Sequence, residues 1–221
     1  MKFLCRFLFC TSAAAALLLT SCGTMTSISS GNYHVTAHRP SDPSRVRVKV
    51  SLSKQNVYVM EGDRCLMAAA TTVGIPAKPT PKGSFTIYSK QPEQCPGSFE
   101  VRCQGARLIP ADAGRSSPVR VVGYPIGLWV QFSPGYGLHQ GYVHLRPRSH
   151  GCLRLKGEAA PKFFALVRTG TPVNIAESQP EDATIGPKIQ RVDDSKTPDP
   201  PMRVSISASA FQKPSGSLLE D

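Results

Sequence analysis

The sequence predicts a mainly β domain with one short helix, and three observations support this fold class. From residue 46 to residue 74, apolar and polar residues alternate with a period of two, and valine is frequent. This pattern is typical of half-buried strands. The stretch EGDR interrupts the alternation as a hairpin turn, in which Gly62 can take a positive φ. Helical periodicity occurs in one short stretch near residue 163.

Further strands follow a proline-rich loop. The loop is IPAKPTPKG at residues 75–83, and SFTIYSK at residues 84–90 is predicted to be a strand. Residues 91–118 show no clear period, so we interpret them as a long surface excursion, which in a compact domain is usually functional or mobile. Strand character returns at residues 119–145, which end in glycine-rich turns around His139.

The helix is predicted within the stretch KGEAAPKFFALVRTG. It places Phe163, Phe164 and Val167 on one helical face, and Gly170 is expected to be the C-cap. TPVNIA at residues 171–176 is expected to be a closing strand. One helix among many strands keeps the domain in the mainly β class.

Composition divides the 221 residues into four parts. The domain spans residues 45–176, which is long enough for a single core. Residues 22–44 are short of apolar side chains and rich in Ser, Thr, Gly and Pro, so we expect a tether. Residues 177–221 are polar and proline-rich, and we expect a flexible tail. Residues 1–21 have the composition of a signal peptide.

The predicted signal peptide ends in a lipidation motif. Lys2 and Arg6 form a basic region, and the apolar stretch that follows them is too short for a stable membrane span. LTSC at residues 19–22 resembles the lipobox of bacterial lipoproteins, in which cleavage precedes the cysteine and the thiol carries lipid. We therefore expect an extracytoplasmic, membrane-anchored lipoprotein of the cell envelope, lipidated at Cys22. An ordinary secretory signal with a chance cysteine is the alternative.

The chain is basic but carries no typical nucleic-acid-binding pattern. Lys and Arg number 26 against 15 Asp and Glu, which gives a formal net charge of +11. The excess is scattered, without a continuous basic run interleaved with aromatic residues. An anionic polymer or an anionic membrane surface fits this diffuse charge better than nucleic acid does.

Export limits what the seven cysteines can do. Cys5 and Cys10 belong to the signal peptide, and Cys22 is expected to carry lipid. Outside the cytoplasm, the close pair Cys95 and Cys103 is a plausible disulfide. That pairing leaves two thiols in the predicted domain, Cys65 and Cys152.

Cys152 stands in a context that suits a nucleophile. It follows Gly151, so the chain can turn sharply and present the backbone N–H groups of Gly151 and Cys152 to one point, as an oxyanion hole requires. A nucleophilic thiol also needs a base, and a histidine both lowers the thiol pKa and moves its proton. His139 lies at the end of a predicted strand and is the favoured candidate. His144 and His150 are competitors, although His150 is constrained by the same turn as Cys152.

Two other interpretations of these residues remain. The cysteine and the histidines could lie in a loop without chemistry. They could also bind zinc, but the spacing of His139, His144, His150 and Cys152 matches none of the usual zinc patterns. We therefore predict no metal site.

SHGCLRL at residues 149–155, together with GLHQG at residues 137–141, closely resembles the signature of the L,D-transpeptidase catalytic domain, the YkuD-like family of peptidoglycan enzymes. The resemblance extends over the predicted domain. VSLSKQNVYVMEGD resembles the first hairpin of the family, VGIPAKPTPKGSFTI its Thr-Pro-x-Gly-x-Phe segment, and TGTPVNI its last strand. It implies an L,D-transpeptidase-type β-sandwich with one short helix after the catalytic loop.

The resemblance assigns a role to each motif residue. It implies that Cys152 is the nucleophile and that His139 is the base. Ser149 and His150 shape the loop together with Gly151, and the N–H groups of Gly151 and Cys152 form much of the oxyanion hole.

The same motif implies roles for Gln140 and Arg154, and the sequence departs from the motif in one respect. A backbone carbonyl just after the base often orients its imidazole in this family, and here that carbonyl belongs to Gln140. Arg154 occupies the place of a motif arginine, which braces the loop or contacts a substrate carboxylate. The stretch between His139 and Ser149 is shorter than in the usual family motif, so the acceptor-side contacts are expected to differ.

The resemblance also implies a reaction, which is two-step acyl transfer without metal or nucleotide. The thiolate attacks a tetrapeptide stem of peptidoglycan, D-Ala leaves, and an amine on a neighbouring stem takes the acyl group. Carbapenems, as mimics of the stem, are expected covalent inhibitors. If water takes the acyl group, the enzyme is an L,D-carboxypeptidase. If the amine belongs to a protein, that protein is anchored to the wall.

Two rival classes keep the same sequence features. A non-catalytic wall-binding lipoprotein of the same fold is one, although an intact Cys152 and His139 argue against it. A secreted thiol–disulfide protein is the other, and the absence of a Cys-x-x-Cys pair argues against it.

Overall fold

The computed structural model describes residues 33–94, 102–104, 107–109, 126–197 and 217–221. Strands dominate these residues, and the fold is 13% helical. The strands are β1 Val46–Ser51, β2 Asn56–Glu61, β3 Arg64–Thr72, β4 Gly83–Thr86, β5 Ser89–Gln94, β6 Arg102–Gln104, β7 Arg107–Ile109, β8 Ile126–Ser133, β9 Tyr136–Gln140, β10 Leu153–Leu155 and β11 Pro172–Ala176. The helices are α1 Ala159–Leu166 and α2 Glu181–Thr184, with short 3₁₀ turns at Pro43–Arg45 and Gly186–Lys188. No helix in these ranges is long and apolar enough to cross a membrane.

Nine strands form one curled sheet. Their order is β4-β11-β1-β2-β3-β10-β9-β8-β5, and β6 pairs with β7 as a separate hairpin. The pairs β1–β11 and β9–β10 are parallel, and the other pairs are antiparallel. The two ends of the sheet approach each other. The ring centroids of Phe85 in β4 and Phe132 in β8 are 5.2 Å apart. The predicted mainly β fold class is confirmed.

The inside of the curl is the main core. Val48 of β1, Val59 of β2 and Leu138 of β9 lie there, and so do Leu153 and Leu155 of β10, all essentially inaccessible to solvent. Because successive side chains of a strand point to opposite faces, the residues between these positions point away from the core. We call that side of the sheet the outer face.

The hairpin turn is confirmed, and one predicted strand is divided in two. Gly62 takes a φ of +60° between β2 and β3, as the EGDR pattern predicts. SFTIYSK, predicted as one strand, instead supplies parts of β4 and β5 at opposite ends of the sheet. Between them, the Ile87 N–H donates to the Thr171 carbonyl and the Tyr88 N–H donates to the Gln131 carbonyl. The chain changes its hydrogen-bonding partner between Ile87 and Tyr88, so these two residues connect the two ends of the curled sheet.

Residues 91–94 also differ from the prediction, which places them in a surface excursion. They belong to β5 and pair with β8. The sequence of this stretch, QPEQ, is polar and contains a proline, so strand propensity does not identify it as the strand at the end of the sheet order.

Helix α1 is present, but Gly170 is not its C-cap. The helix ends at Leu166, and the Val167 N–H donates to the Phe163 carbonyl. Gly170 lies in the next turn with a φ of +93°, and its N–H donates to the Ile87 carbonyl. Its positive φ therefore serves the turn into β11 rather than the helix end.

The segment predicted as a flexible tail is partly folded. Residues 177–197, which we call the C-terminal strap, contain α2 and the second 3₁₀ turn. Ile189 and Val192 of the strap are buried against Tyr58 and Ala70 on the outer face. The polar composition conceals this packing, because the polar groups of the strap bond to the sheet instead of to water.

The end of the predicted tether also packs on the domain. Val35 and Ala37 are buried in the core cluster, and Ala37 bridges to Met67. The Glu220 N–H donates to the Ala37 carbonyl. The predicted signal peptide at residues 1–21 and the lipidation site Cys22 lie outside the described residues.

Candidate active site

The sheet places the predicted nucleophile and base on neighbouring strands. Cys152 immediately precedes β10, which lies between β9 and β3. Arg154 of β10 is opposite His139 of β9 on one side and Thr72 of β3 on the other. Leu153 points into the core, so alternation places Cys152 and Arg154 on the outer face together with His139.

The thiol of Cys152 is enclosed by the turn between β8 and β9. Its Sγ lies 3.7 Å from the Gly135 carbonyl oxygen, and the Gly137 N–H also bonds to the sulfur. Burial raises the pKa of the Cys152 thiol, and the Gly137 N–H and the charge of Arg154 only partly oppose this effect. The thiol is therefore protonated at neutral pH and needs a base before it can attack.

The imidazole of His139 is held in a defined tautomer. Its Nδ1 lies 2.7 Å from the Gln140 carbonyl oxygen. Because a carbonyl only accepts, Nδ1 carries the proton and Nε2 keeps a free lone pair. Trp129 of β8 stacks against the ring, with centroids 5.8 Å apart and an interplanar angle of 30°.

The protonation of His139 suits a base. Burial is the main cause that lowers the pKa of His139 to about 4, and the positive charge of Arg154 lowers it further, whereas the bond to Gln140 opposes both. The ring is therefore neutral at pH 7. A neutral ring on the same face of the sheet as the thiol has a lone pair that can accept a proton.

Ser149 ties the loop before β10 together. Its buried Oγ donates to the Cys152 carbonyl at 2.5 Å and accepts from the Gly151 N–H at 3.0 Å. Its backbone N–H donates to the Val73 carbonyl, and its carbonyl accepts from the Ile75 N–H. Ser149 thus anchors the loop to the end of β3, which agrees with a loop-shaping role.

Gly151 is required by its backbone and its neighbours. It has a φ of +110°, and a Cβ at this position would lie 2.4 Å from Cε1 of Tyr136. In the structure its N–H is used by Ser149, whereas the sequence analysis assigns that group to the oxyanion hole. The buried Ser149 hydroxyl therefore competes for one donor of the predicted oxyanion hole, and the Cys152 N–H stays the other predicted donor.

Arg154 lies close enough to Cys152 and His139 for its charge to act on both groups. Within the described parts of the chain it forms no ion pair. The Thr71 hydroxyl donates to the Arg154 carbonyl at 2.8 Å, and a Cβ on Gly141 would lie 3.3 Å from Cδ of Arg154. The backbone of Arg154 and the aliphatic part of its side chain are held in place, whereas its guanidinium has no anionic partner among the described residues. A contact between the guanidinium and a substrate carboxylate stays a prediction.

The competing histidines occupy other environments. His144 is 9% exposed, its N–H donates to the Thr72 hydroxyl at 2.7 Å, and its Nδ1 lies 3.8 Å from Asp193. The side chain of His150 is exposed at the loop surface. Among the residues the structure describes, no three His, Cys, Asp or Glu side chains are grouped so that they could hold a metal ion.

The two predicted thiols are free. Cys65 and Cys152 are both unpaired and partly buried. Burial raises the pKa of Cys65, which lies near the start of β3. The predicted disulfide involves Cys95, which lies outside the described residues, and stays a prediction.

Trp129 and Tyr136 also belong to the candidate site, although neither forms part of the sequence motif. Trp129 supports the His139 ring, and Tyr136 fills the space beside Gly151. Trp129 belongs to β8 and Tyr136 to β9, and the antiparallel pairing of these two strands brings Trp129 next to His139. Alternation within each strand alone does not reveal such neighbours.

A family comparison agrees with this geometry. Residues 45–175 match the family model described as YkuD, the L,D-transpeptidase catalytic domain. The chain belongs to this L,D-transpeptidase family. The predicted family membership is therefore confirmed, and the match ends just before the C-terminal strap.

Individual relatives of the L,D-transpeptidase family are also similar to the chain. L,D-transpeptidase 1 of Mycobacterium tuberculosis strain H37Rv is 29% identical over 128 residues, which cover 57% of this chain and 48% of that protein. The chain thus aligns with about half the length of that curated relative. A solved L,D-transpeptidase from Mycobacterium smegmatis has a TM-score of 0.46 and 20% identity, covering 60% of this chain and 58% of that one. One from Stackebrandtia nassauensis has a TM-score of 0.45 and 20% identity, covering 65% and 60%.

Proposed function

We propose that the protein is a peptidoglycan L,D-transpeptidase that uses Cys152 as nucleophile and His139 as base. The observation that carries this proposal is the tautomer of His139. Its Nδ1–H is directed to the Gln140 carbonyl, so Nε2 is free on the outer face that Cys152 shares. Membership of the L,D-transpeptidase catalytic domain family supports the same assignment.

The first step forms a thioester. Nε2 of His139 accepts the thiol proton as Sγ of Cys152 attacks the carbonyl that joins the third stem residue to D-Ala. The sulfur–carbon bond forms, the carbon–nitrogen bond breaks, and the proton passes to the amine of the leaving D-Ala. A neutral imidazole is suited to this work because it can both accept and return the proton.

The oxyanion of this step needs a donor close to the sulfur. We assign that role to the Cys152 N–H, since Ser149 holds the Gly151 N–H in the resting loop. Preorganised N–H groups stabilise developing charge without reorganisation during the reaction. Ser149, His150 and Gly151 would then act by shaping the loop.

The second step transfers the acyl group. An amine of a neighbouring stem attacks the thioester carbonyl, a carbon–nitrogen bond forms and the sulfur–carbon bond breaks. His139 accepts the amine proton and passes it to the sulfur, which releases the thiol of Cys152. Arg154 is suited to bind a stem carboxylate, because its guanidinium lies beside the thiol without an anionic partner in the described chain. No metal or nucleotide is needed for either step.

The remaining assignments concern place and inhibition. We propose an extracytoplasmic location in the cell envelope, with a lipid on Cys22 as the membrane anchor. The net charge of +11 favours attraction to a wall that carries many carboxylates. Carbapenems are proposed to acylate Cys152 because they mimic the stem.

Intact-protein mass spectrometry tests the proposal. The reduced protein is incubated with a tetrapeptide stem, with or without an amine acceptor, and separately with a carbapenem. We expect an adduct on Cys152 that Cys152→Ala abolishes and that the matched thiol variant Cys65→Ala keeps. His139→Ala should slow acylation by about 10²–10⁴-fold, the range typical of a lost general base, and His144→Ala much less.

The product distinguishes the related activities. A cross-linked dimer of stems that appears only with the amine acceptor supports transpeptidation. A free tripeptide stem that forms at the same rate with and without acceptor indicates L,D-carboxypeptidase activity instead. Binding of wall fragments without any adduct on the folded wild type would overturn the acyl-transfer mechanism and favour a wall-binding protein.

A further inference from the structure

Asp194 connects the two strands that carry the candidate active site. It lies in the C-terminal strap, beyond the family match that ends at residue 175, and only 5% of it is exposed. Its Oδ2 accepts from the Val143 N–H at 2.9 Å, and its own N–H donates to the Val143 carbonyl at 2.8 Å. Its Oδ1 forms an ion pair with Lys156.

These two partners stand within three residues of the ends of the site strands. Val143 follows β9, which carries His139, and Lys156 follows β10, which begins after Cys152. Between them, the Gly141 N–H donates to the Leu155 carbonyl at 2.8 Å. One buried carboxylate therefore fixes the exits of both strands relative to each other.

The orientation of His139 depends on this exit. The carbonyl that holds its Nδ1 belongs to Gln140, which is three residues before Val143. The Gln140 carbonyl and the Gly141 N–H belong to one peptide, which the Leu155 carbonyl holds directly and which Asp194 holds through Val143. If the segment at Val143 loosens, this peptide keeps a single anchor, and the carbonyl that directs Nε2 of His139 can shift. A displacement of about 1 Å at a reacting group can reduce a rate by about a hundredfold.

We infer that Asp194 is a positioning residue of the active site, and that the C-terminal strap is part of the catalytic unit. Asp194 touches neither Cys152 nor His139, so it acts through the backbone after β9 and β10. The inference rests on the proposed function for the roles of Cys152 and His139. Nothing in the motif SHGC reveals it, because Asp194 follows the motif by about forty residues and lies in a segment of polar composition.

The strap offers a matched control at its other end. Asp182 accepts from the Ser51 hydroxyl at 2.7 Å, the Tyr58 hydroxyl at 2.7 Å and the Gln179 N–H at 2.8 Å. It is a partly buried carboxylate that pins the same strap to β1 and β2, away from Val143 and Lys156. Asp182→Asn should therefore destabilise the strap without disturbing His139.

Alkylation of Cys152 tests the inference in the full chain. The protein is treated with iodoacetamide over a series of pH values, and trypsin releases Cys152 in the peptide SHGCLR, residues 149–154. At neutral pH, we expect Asp194→Asn to slow alkylation on the order of ten- to a hundredfold, and Lys156→Gln to slow it by a smaller factor. At alkaline pH the rates should converge with wild type, because hydroxide then removes the thiol proton without His139. Asp182→Asn should follow wild type at every pH.

Two results would contradict the proposed role of Asp194. If Asp194→Asn and Asp182→Asn lower the melting temperature alike and leave alkylation unchanged, the inference is wrong. An alkylation rate that falls by the same factor at all pH values would also overturn the inference, because such a fall indicates blocked access to the Cys152 thiol rather than a displaced base. Lys156→Gln provides the same comparison if Asp194→Asn does not fold. Alkylation needs no stem turnover, so a wild type that fails to react with the stem would contradict the proposed function alone.

Discussion

The Nδ1 atom of His139 lies 2.7 Å from the carbonyl oxygen of Gln140, the next residue in the chain. The contact joins sequence neighbours, but the Gln140 carbonyl is itself placed by the end of β9, which Asp194 ties down at Val143. The ring still depends on the fold for its environment, because Trp129 stacks against it and Arg154 stands opposite it on β10. The tautomer is therefore set by a neighbouring residue, whereas the position and the proton affinity of the ring depend on tertiary packing.

The first prediction concerns the pH dependence of acylation. Burial and the charge of Arg154 lower the pKa of His139 to about 4, so its lone pair stays available as pH falls through the ordinary histidine range. We expect the acylation rate of Cys152 to lose its base only as pH approaches about 4, and an NMR titration of His139 to give the same midpoint. Arg154→Met removes a positive charge, so the midpoint should move to higher pH. A midpoint near that of a free histidine in wild type would contradict this assignment.

Local features of the site could be predicted from the sequence. The turn at Gly62, the loop before Cys152 and the carbonyl of Gln140 all depend on neighbouring residues, and each appears in the structure. A motif of four consecutive residues carries enough information for such geometry. The same holds for α1, whose apolar face is a local pattern.

The parts that escaped prediction depend on distant partners. The chain passes from β4 to β5 through Ile87 and Tyr88, but a period of two does not state which neighbour a strand takes. The strap is predicted to be flexible because it is rich in polar groups. In the structure, however, the carboxylates of Asp182 and Asp194 accept hydrogen bonds from the Tyr58 hydroxyl and the Val143 N–H. Composition counts such groups as solvated, and only the fold shows their partners.

A second prediction concerns the membrane anchor. Because LTSC resembles a lipobox, Cys22→Ala should prevent lipidation and release the protein into the aqueous phase of a detergent partition. Cys10→Ala, in the same predicted signal peptide, is the matched control and should stay in the detergent phase. Equal retention of both variants would refute the lipoprotein assignment. The activity of the released domain toward a stem peptide should be unchanged.

A third prediction concerns the stretch between β5 and β8. Cys95 and Cys103 are close in sequence, and export favours oxidation, so we expect a disulfide between them. Peptide mapping without reductant should recover the two cysteines in one linked fragment. Alkylation of both as free thiols in the folded protein would disprove the pairing. Cys65 should be alkylated as a free thiol in either case, which controls for reagent access.

The last prediction separates the two requirements that make residue 151 a glycine. Gly151 and Gly170 both take a left-handed φ, +110° and +93° respectively. A Cβ on Gly151 would lie 2.4 Å from the Tyr136 ring, whereas a Cβ on Gly170 would meet nothing within 4 Å. Gly170→Ala should therefore carry only the backbone cost, about 1 kcal/mol of unfolding free energy, and keep full acylation of Cys152.

Gly151→Ala should carry the same backbone cost and also push the loop away from Tyr136. Because Ser149 bonds both to the Gly151 N–H and to the Cys152 carbonyl, the displacement passes directly to the nucleophile. We expect the acylation rate to fall by about a hundredfold, the size of effect that a misplacement of about 1 Å can produce. Urea unfolding and mass-spectrometric acylation of the two alanine variants give the comparison. Full acylation by a folded Gly151→Ala variant would show that the loop can shift without moving Cys152, and the close contact with Tyr136 would then have no part in placing the thiol.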